Sequence, residues 1–402
     1  MSSDNTNAVV PGGRREERAD GAANLVSVTA VDAGRLSLLV RRRSVQTALF
    51  VEAPLIVLAL VGYWAVTGKV GEDFDTFRLA AIAVMHGRSP YPPAVPALLA
   101  LNNKFVYPPI DAYVLIPFAV VPRVLGWVLF LLAGCGSVAL GLHLLGVRDW
   151  RCYGVALLSP PLFLALTIGA IGPFLFLGVA ASWRYRDSVG RAALVVGATF
   201  VAKLILWPLV VWLAATRRYK AAAWSLVAAL VFTVLPWAGI GFAGFSKYPT
   251  LLRALDDAQE WKSYSLQGLA ISLGLPTAVG TVALAIVGVG GCLLTVYVAR
   301  QENGDERAFV VAVVTALLAT PLLWIHYLVL LFAPLAVRQR RLSVLWGVPA
   351  LLWATPYLDS AGTVWRPLVL LGVTLFLGAL LVRSRPLGSV EQTVRTGVAK
   401  PS

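Results

Sequence analysis

The sequence predicts an all-helical protein that crosses a membrane many times. Three observations lead there. Of the 402 residues, 58% are hydrophobic and only 13% are charged, against about 25% charged in an ordinary soluble domain. The mean hydropathy is +0.77. The apolar residues fall in unbroken runs and not in the alternation of a barrel strand. No core can hide that much apolar surface and still present a polar skin, so a soluble globule is excluded. A disordered chain, which needs low hydrophobicity, is excluded as well. One span takes about 20 apolar residues, which leaves room for roughly ten to thirteen crossings with short loops.

The charge balance fits the same class. There are 34 Lys and Arg against 20 Asp and Glu, a net charge of +14. In a soluble protein that excess would suggest nucleic acid. Here it is the usual enrichment of cytoplasmic loops, and no nucleic-acid partner is expected. Cys135, Cys152 and Cys292 lie in or beside apolar segments without metal-ligand spacing, so they read as small core residues.

Taken in order, residues 1–45 are polar and Arg-rich and lack the layout of a signal peptide. They are expected to form a disordered, basic cytoplasmic tail with a short amphipathic piece near 36–40. Arg41, Arg42 and Arg43 stand directly before the first apolar run, 47–66, which is a stay-inside signal. The N-terminus is therefore expected in the cytoplasm and the next segment outside a plasma membrane. The membrane domain should cover 46–383, with a second cytoplasmic tail over 384–402.

Residues 67–108 are the most polar inter-helix stretch of the N-terminal half. Phe77, Ala80, Ala81 and Val84 recur there at helical spacing, which predicts an amphipathic helix on the membrane surface. His86-Gly87 and Pro90 end it. The Arg-rich loops near 184–186, 217–220, 338–341 and 383–385 read as cytoplasmic. A second polar segment, 242–267, carries Asp256, Asp257, Glu260 and Trp261 and fits the outer face. The runs at 110–121, 192–202, 204–215 and 327–337 are too short to span alone, so helices are expected to end at a cavity. A full crossing at 110–121 would put Arg148 and Arg151 outside, against the positive-inside trend, and the exact helix count stays open. No internal repeat is visible.

A charge at membrane depth is costly and therefore a candidate functional group. Lys203 lies between two apolar runs, just before Trp207-Pro208. The bland alternative is a lysine snorkelling at a helix end. His326 follows Pro321-Leu-Leu-Trp324-Ile and is otherwise read as a hydrogen-bonded core histidine. Asp73 and Asp75 open the amphipathic helix. On a helix they lie about 200° apart, so only one can face a substrate, and the other caps the helix or meets solvent. Counting loop signs puts Asp73, Lys203 and His326 all on the extracytoplasmic side. A carboxylate, an ammonium and an imidazole around one outer cavity suit sugar transfer from a lipid phosphate: the carboxylate takes the acceptor's proton and the cations hold the departing phosphate.

The run Asp73-Phe-Asp-Thr-Phe77, then Gly87-Arg-Ser-Pro-Tyr91, then Phe105-Val-Tyr107-Pro108-Pro109 resembles the start of glycosyltransferase family 87. The resemblance continues at Lys203 with Pro208 and at Pro321…Trp324-Ile-His326-Tyr327, so it extends over about 47–383. It implies a C-type glycosyltransferase fold and a polyprenyl-phosphate sugar as donor. The donor sugar it implies is mannose, as in actinobacterial mannosyltransferases, with a glycolipid or glycan as acceptor and no cofactor. The family's catalytic aspartate matches Asp73, its central lysine Lys203 and its histidine His326. Lys104, Tyr107, Gln267 and Tyr327 are further candidates for substrate contacts. Two departures stand out: Phe77 where tyrosine is common, and Gly169-Ala-Ile-Gly172-Pro173 where a Gly-Gln pair is usual. The second removes an amide that Gln267 would have to replace.

No metal is expected, because one or two cationic side chains can balance a monophosphate leaving group. A base opposite that group predicts inversion at the anomeric carbon, and arabinofuranose remains an alternative sugar. The competing readings are a transporter or flippase for a lipid-linked or anionic solute, and a non-catalytic scaffold.

Overall fold

The computed structural model describes residues 43–384 except 69, 101–103, 356–358 and 361. The expected tails lie outside the described residues, apart from 43–45 and 384. The chain divides into two units, 1–53 and 54–402. In the first, Arg43–Thr47 is α-helical and Ala48–Glu52 forms a π-helical turn.

Every regular element among the described residues is helical. Five helices are long and apolar enough to cross a membrane, or six if Trp150–Leu157 and Pro160–Ile168, bent by 59°, count as one span. Shorter apolar helices follow at Val189–Ala202, Leu204–Ala215, Ile325–Arg338 and Val344–Ala354. The protein is thus a multi-pass membrane protein. Where the apolar runs suggested ten to thirteen crossings, the described residues hold five or six long ones and a set of broken, shorter pieces. Six helices organise the site: α1 (Glu72–Met85), α2 (Arg123–Leu144), α3 (Val189–Ala202), α4 (Tyr248–Gln259), α5 (Thr277–Ala299) and α6 (Gly304–Leu318).

The topological conflict at 110–121 disappears in the structure. That run forms two short helices, Pro109–Val114 and Ile116–Ala119. Together they reach about 15 Å, half of a hydrocarbon core of about 30 Å. The next helix long and apolar enough to cross a membrane is α2. Arg123, at the start of α2, holds Asp75 of α1 through two hydrogen bonds of 2.7 and 2.6 Å. At the far end of α2 the Asp149 carboxylate accepts from the Leu342 backbone N–H at 3.0 Å, joining the loop of Arg148 and Arg151 to that of Arg338–Arg341.

The remaining basic loops gather at that same end through acidic partners on α6. Asp305 accepts from Arg186 at 2.9 Å, from Arg218 at 2.9 Å and from the Trp212 indole at 3.0 Å. Glu306 pairs with the buried Arg338. From this anchor α3 and α6 each run about 21–22 Å at 1.5 Å per residue. They deliver Lys203 and Thr320 together at the opposite end.

At that opposite end the two polar segments fold onto each other. Phe74, Phe77, Ala80, Ala81 and Val84 form the buried face of α1, as the helical spacing predicted. Leu251, Ala254 and Ala258 of α4 pack on Leu99, and the Gln259 amide donates to the Leu99 carbonyl at 2.6 Å. The start of α1 is fixed by Trp127 of α2, whose ring lies 4.9 Å from that of Phe74. Gly169 makes this possible. Its φ is +76°, and a Cβ there would overlap the Trp127 ring and come within 2.6 Å of the Phe74 Cβ. The departure at 169–173 thus carries a packing requirement at its first glycine. Gly169→Ala should destabilise the protein by about 2–4 kcal/mol, from left-handed backbone strain plus overpacking. Thermal unfolding in detergent checks this. Gly136→Ala, inside α2 where a Cβ meets nothing within 4 Å, should hold the midpoint or raise it, by up to about 1 kcal/mol of stability.

Candidate active site

Broken helices build the site. α3 stops at Lys203, whose backbone is extended (φ −147°, ψ 104°), and one 3₁₀ turn, Leu204–Leu206, separates it from Pro208–Ala215. Pro208 suits the first turn of that next helix because it lacks the N–H that a helix start leaves unpaired. The lysine is therefore carried on a break inside the protein. His326 lies in a second break, the 3₁₀ stretch Ile325–Leu331 after the extended Trp324. The loop before it is pinned by Ser263, whose buried hydroxyl accepts from the backbone N–H groups of Leu323 at 2.9 Å and Ser265 at 3.1 Å. Tyr264 N–H donates to the Leu323 carbonyl at 2.9 Å.

These breaks open on one cavity of about 510 Å³. Asp73, Lys203 and His326 all line it, and so do Lys104, Tyr107 and Tyr327. Of the two aspartates, Asp73 faces the cavity, while Asp75, expected to cap the helix or meet solvent, pairs instead with Arg123. Gln267 is the exception among the candidates. It lines an adjoining cavity of about 700 Å³ along α5, and its amide donates to Glu260 at 2.6 Å and to Asp256 at 3.4 Å. It is therefore already occupied, and it stands outside the Asp73 cavity because Gly280 of α5 packs against its backbone. The two cavities share Trp207, Asp256, Ala319 and Pro321.

The electrostatics of the cavity centre on Lys203. Its ammonium donates to the Tyr327 hydroxyl at 2.7 Å and lies 4.1 Å from the Tyr107 ring centroid and 4.4 Å from that of Tyr327. The Tyr327 ring meets the buried His326 edge-on at 4.7 Å. Asp73, at the head of α1 and outside the candidate spans, is partly exposed and lines the cavity. Enclosure by protein raises its pKa to about 7, Lys203 opposes that rise, and Glu72 adds to it. A carboxyl poised near neutral pH can exchange a proton with a hydroxyl.

Asp111 was not singled out from the sequence. It is 7% exposed, with one carboxylate oxygen unpartnered, and Lys203 interacts with it. The available signal was a carboxylate inside the apolar run at 110–121.

Residues 105–323, more than half of the chain, match the model of glycosyltransferase family 87. The chain belongs to this family. Lys203 lies inside the matched segment, Asp73 precedes it and His326 follows it. No curated protein and no solved structure matches the chain. The glycosyltransferase is thus a membrane enzyme that draws on a lipid-linked sugar, which rules out the transporter and scaffold readings.

Two substitutions test how the site is held. Ser263→Ala should cost about 2–3 kcal/mol by stranding two buried N–H groups. Asp75→Asn should cost about 1 kcal/mol, because its ion pair is bidentate but more than a third exposed. Denaturation midpoints of the two purified variants give the comparison.

Proposed function

We propose that the enzyme transfers a sugar, with mannose the leading candidate, from a polyprenyl-phosphate donor to a glycolipid or glycan acceptor. The site opens on the extracytoplasmic face in this reading, because the basic loops cluster at the other end of the bundle. One observation carries it: the Asp73 carboxylate shares a cavity with the Lys203 ammonium, which none of the ion pairs among the described residues includes. Asp73 takes the proton of the acceptor hydroxyl. The acceptor oxygen then attacks the anomeric carbon as the bond from that carbon to the phosphate oxygen breaks. The electron pair leaves with the phosphate, and Lys203 and His326 stabilise the charge that develops there. Attack opposite the leaving group inverts the anomeric centre. The apolar cavity along α5 gives the isoprenoid chain a surface at membrane depth.

The direct test is transfer of radiolabel from polyprenyl-phosphate-mannose in membranes containing the protein. Asp73→Asn should lower transfer at least 100-fold, the upper part of the usual range for a general base being about 10⁴. Wild-type transfer by Asp73→Asn would remove that residue from the role. The pH profile supplies a second test. A base must be unprotonated, so kcat/KM should fall as pH drops below about 7. Lys203→Gln removes the pull that lowers the Asp73 pKa, so the residual activity should need a higher pH.

A further inference from the structure

Lys203 is the one charged group on the α3 break, yet none of the ion pairs among the described residues includes it. Three acid–base groups feel its charge: Asp73, Asp111 and His326. Neither carboxylate comes within ion-pair distance. What holds the ammonium instead is the Tyr327 hydroxyl at 2.7 Å and the Tyr107 ring, whose centroid lies at 4.1 Å. A ring face attracts a cation through its quadrupole and carries no net charge. Such partners orient the ammonium without neutralising it. A carboxylate partner would compete with an incoming phosphate and would tie up the proposed base as well.

We propose that Tyr327 and Tyr107 are positioning residues that hold the Lys203 ammonium unpaired at the cavity wall, so that the donor phosphate becomes its first full counter-charge. This rests on the reading of Lys203 as the donor-phosphate cation. It assigns the two tyrosines a role toward the lysine that is separate from any contact with sugar.

The surroundings of the two rings fit a fixed cradle. The segment carrying Tyr107 is held from behind by two hydroxyls: Tyr91 donates to the Tyr107 carbonyl at 2.9 Å, and Tyr248 donates to the Val106 carbonyl at 2.9 Å. The Tyr107 ring is braced by Phe77 of α1, with centroids 4.9 Å apart. The same helix that presents Asp73 therefore sets the ring beneath Lys203. Tyr327 is 8% exposed and directly follows His326, so one 3₁₀ turn places both the imidazole and the lysine's hydroxyl partner. Base, cation and histidine are thus spaced by two aromatic side chains.

The test measures KM for polyprenyl-phosphate-mannose and for the acceptor separately, with inhibition by free polyprenyl phosphate. Tyr327→Phe keeps the ring and removes only the hydroxyl, so it should fold. It should raise the donor KM and the inhibition constant of polyprenyl phosphate about tenfold, with the acceptor KM within twofold. Tyr107→Leu should do the same, and Tyr107→Phe, which keeps the ring, should raise the donor KM less. Wild-type donor KM in both Tyr327→Phe and Tyr107→Leu would overturn the inference. So would equal rises in both KM values with a lowered melting midpoint, the signature of a purely structural role. These outcomes leave the reading of the reaction intact if Asp73→Asn remains inactive. Absence of transfer by the wild-type protein from any polyprenyl-phosphate sugar would overturn that reading itself, and this inference with it.

Discussion

An ammonium and a carboxylate occupy one cavity of a largely apolar bundle without forming an ion pair. Most of the architecture follows from keeping them in that state. Paired and buried, they would neutralise each other and leave nothing to meet a charged substrate. Separated without support, each would bear the full cost of losing water. The protein resolves this with broken helices, which bring Lys203 and His326 to a cavity wall, and with aromatic and hydroxyl partners that satisfy the lysine without cancelling its charge. The carboxylate sits at the head of a helix outside the spans, where enclosure lifts its pKa toward neutrality.

The two ends of the bundle divide the work. At one end, arginines are matched to Asp305, Glu306 and Asp149 in hydrogen-bonded networks, with Trp212 and Trp183 packed alongside. That end is a rigid base from which α3 and α6 rise. At the other end the polar segments carrying α1 and α4 close over the cavity, and one face of the shared wall turns toward an apolar space along α5. A substrate with a charged head and a long apolar tail matches this juxtaposition. The family membership supplies the chemistry, lipid-linked sugar transfer, while the geometry bears on which side chains perform it.

Small residues carry much of the precision. Gly169 and Gly71 both lie against the six-membered ring of Trp127, so the start of α1 is wedged in place by a single indole. Gly172 brings its backbone against the carbonyl of His326. The segment 169–173, which departs from the family pattern, is therefore held by close packing at its two glycines.

The helical class, the membrane setting, the amphipathic helix at Phe77–Val84 and the three isolated polar residues were all legible in one dimension. They depend on composition, on period and on the cost of charge in an apolar run, and these are local properties. The α1 geometry also followed locally, since two residues on a helix cannot share a face at i, i+2; Asp73 meets the cavity and Asp75 meets Arg123. Three things needed the tertiary structure. The run at 110–121 is too short to cross, but only its break into two short helices decides where Arg148 and Arg151 go. The Gln267 amide is taken by Glu260 and Asp256 of its own polar segment, a pairing set by how the turn at 260–265 folds and not by any period in the chain. Tyr107 and Tyr327, far apart in the chain, meet at one ammonium. Such contacts depend on the angles at which broken helices pack, and no periodicity in the chain encodes those angles.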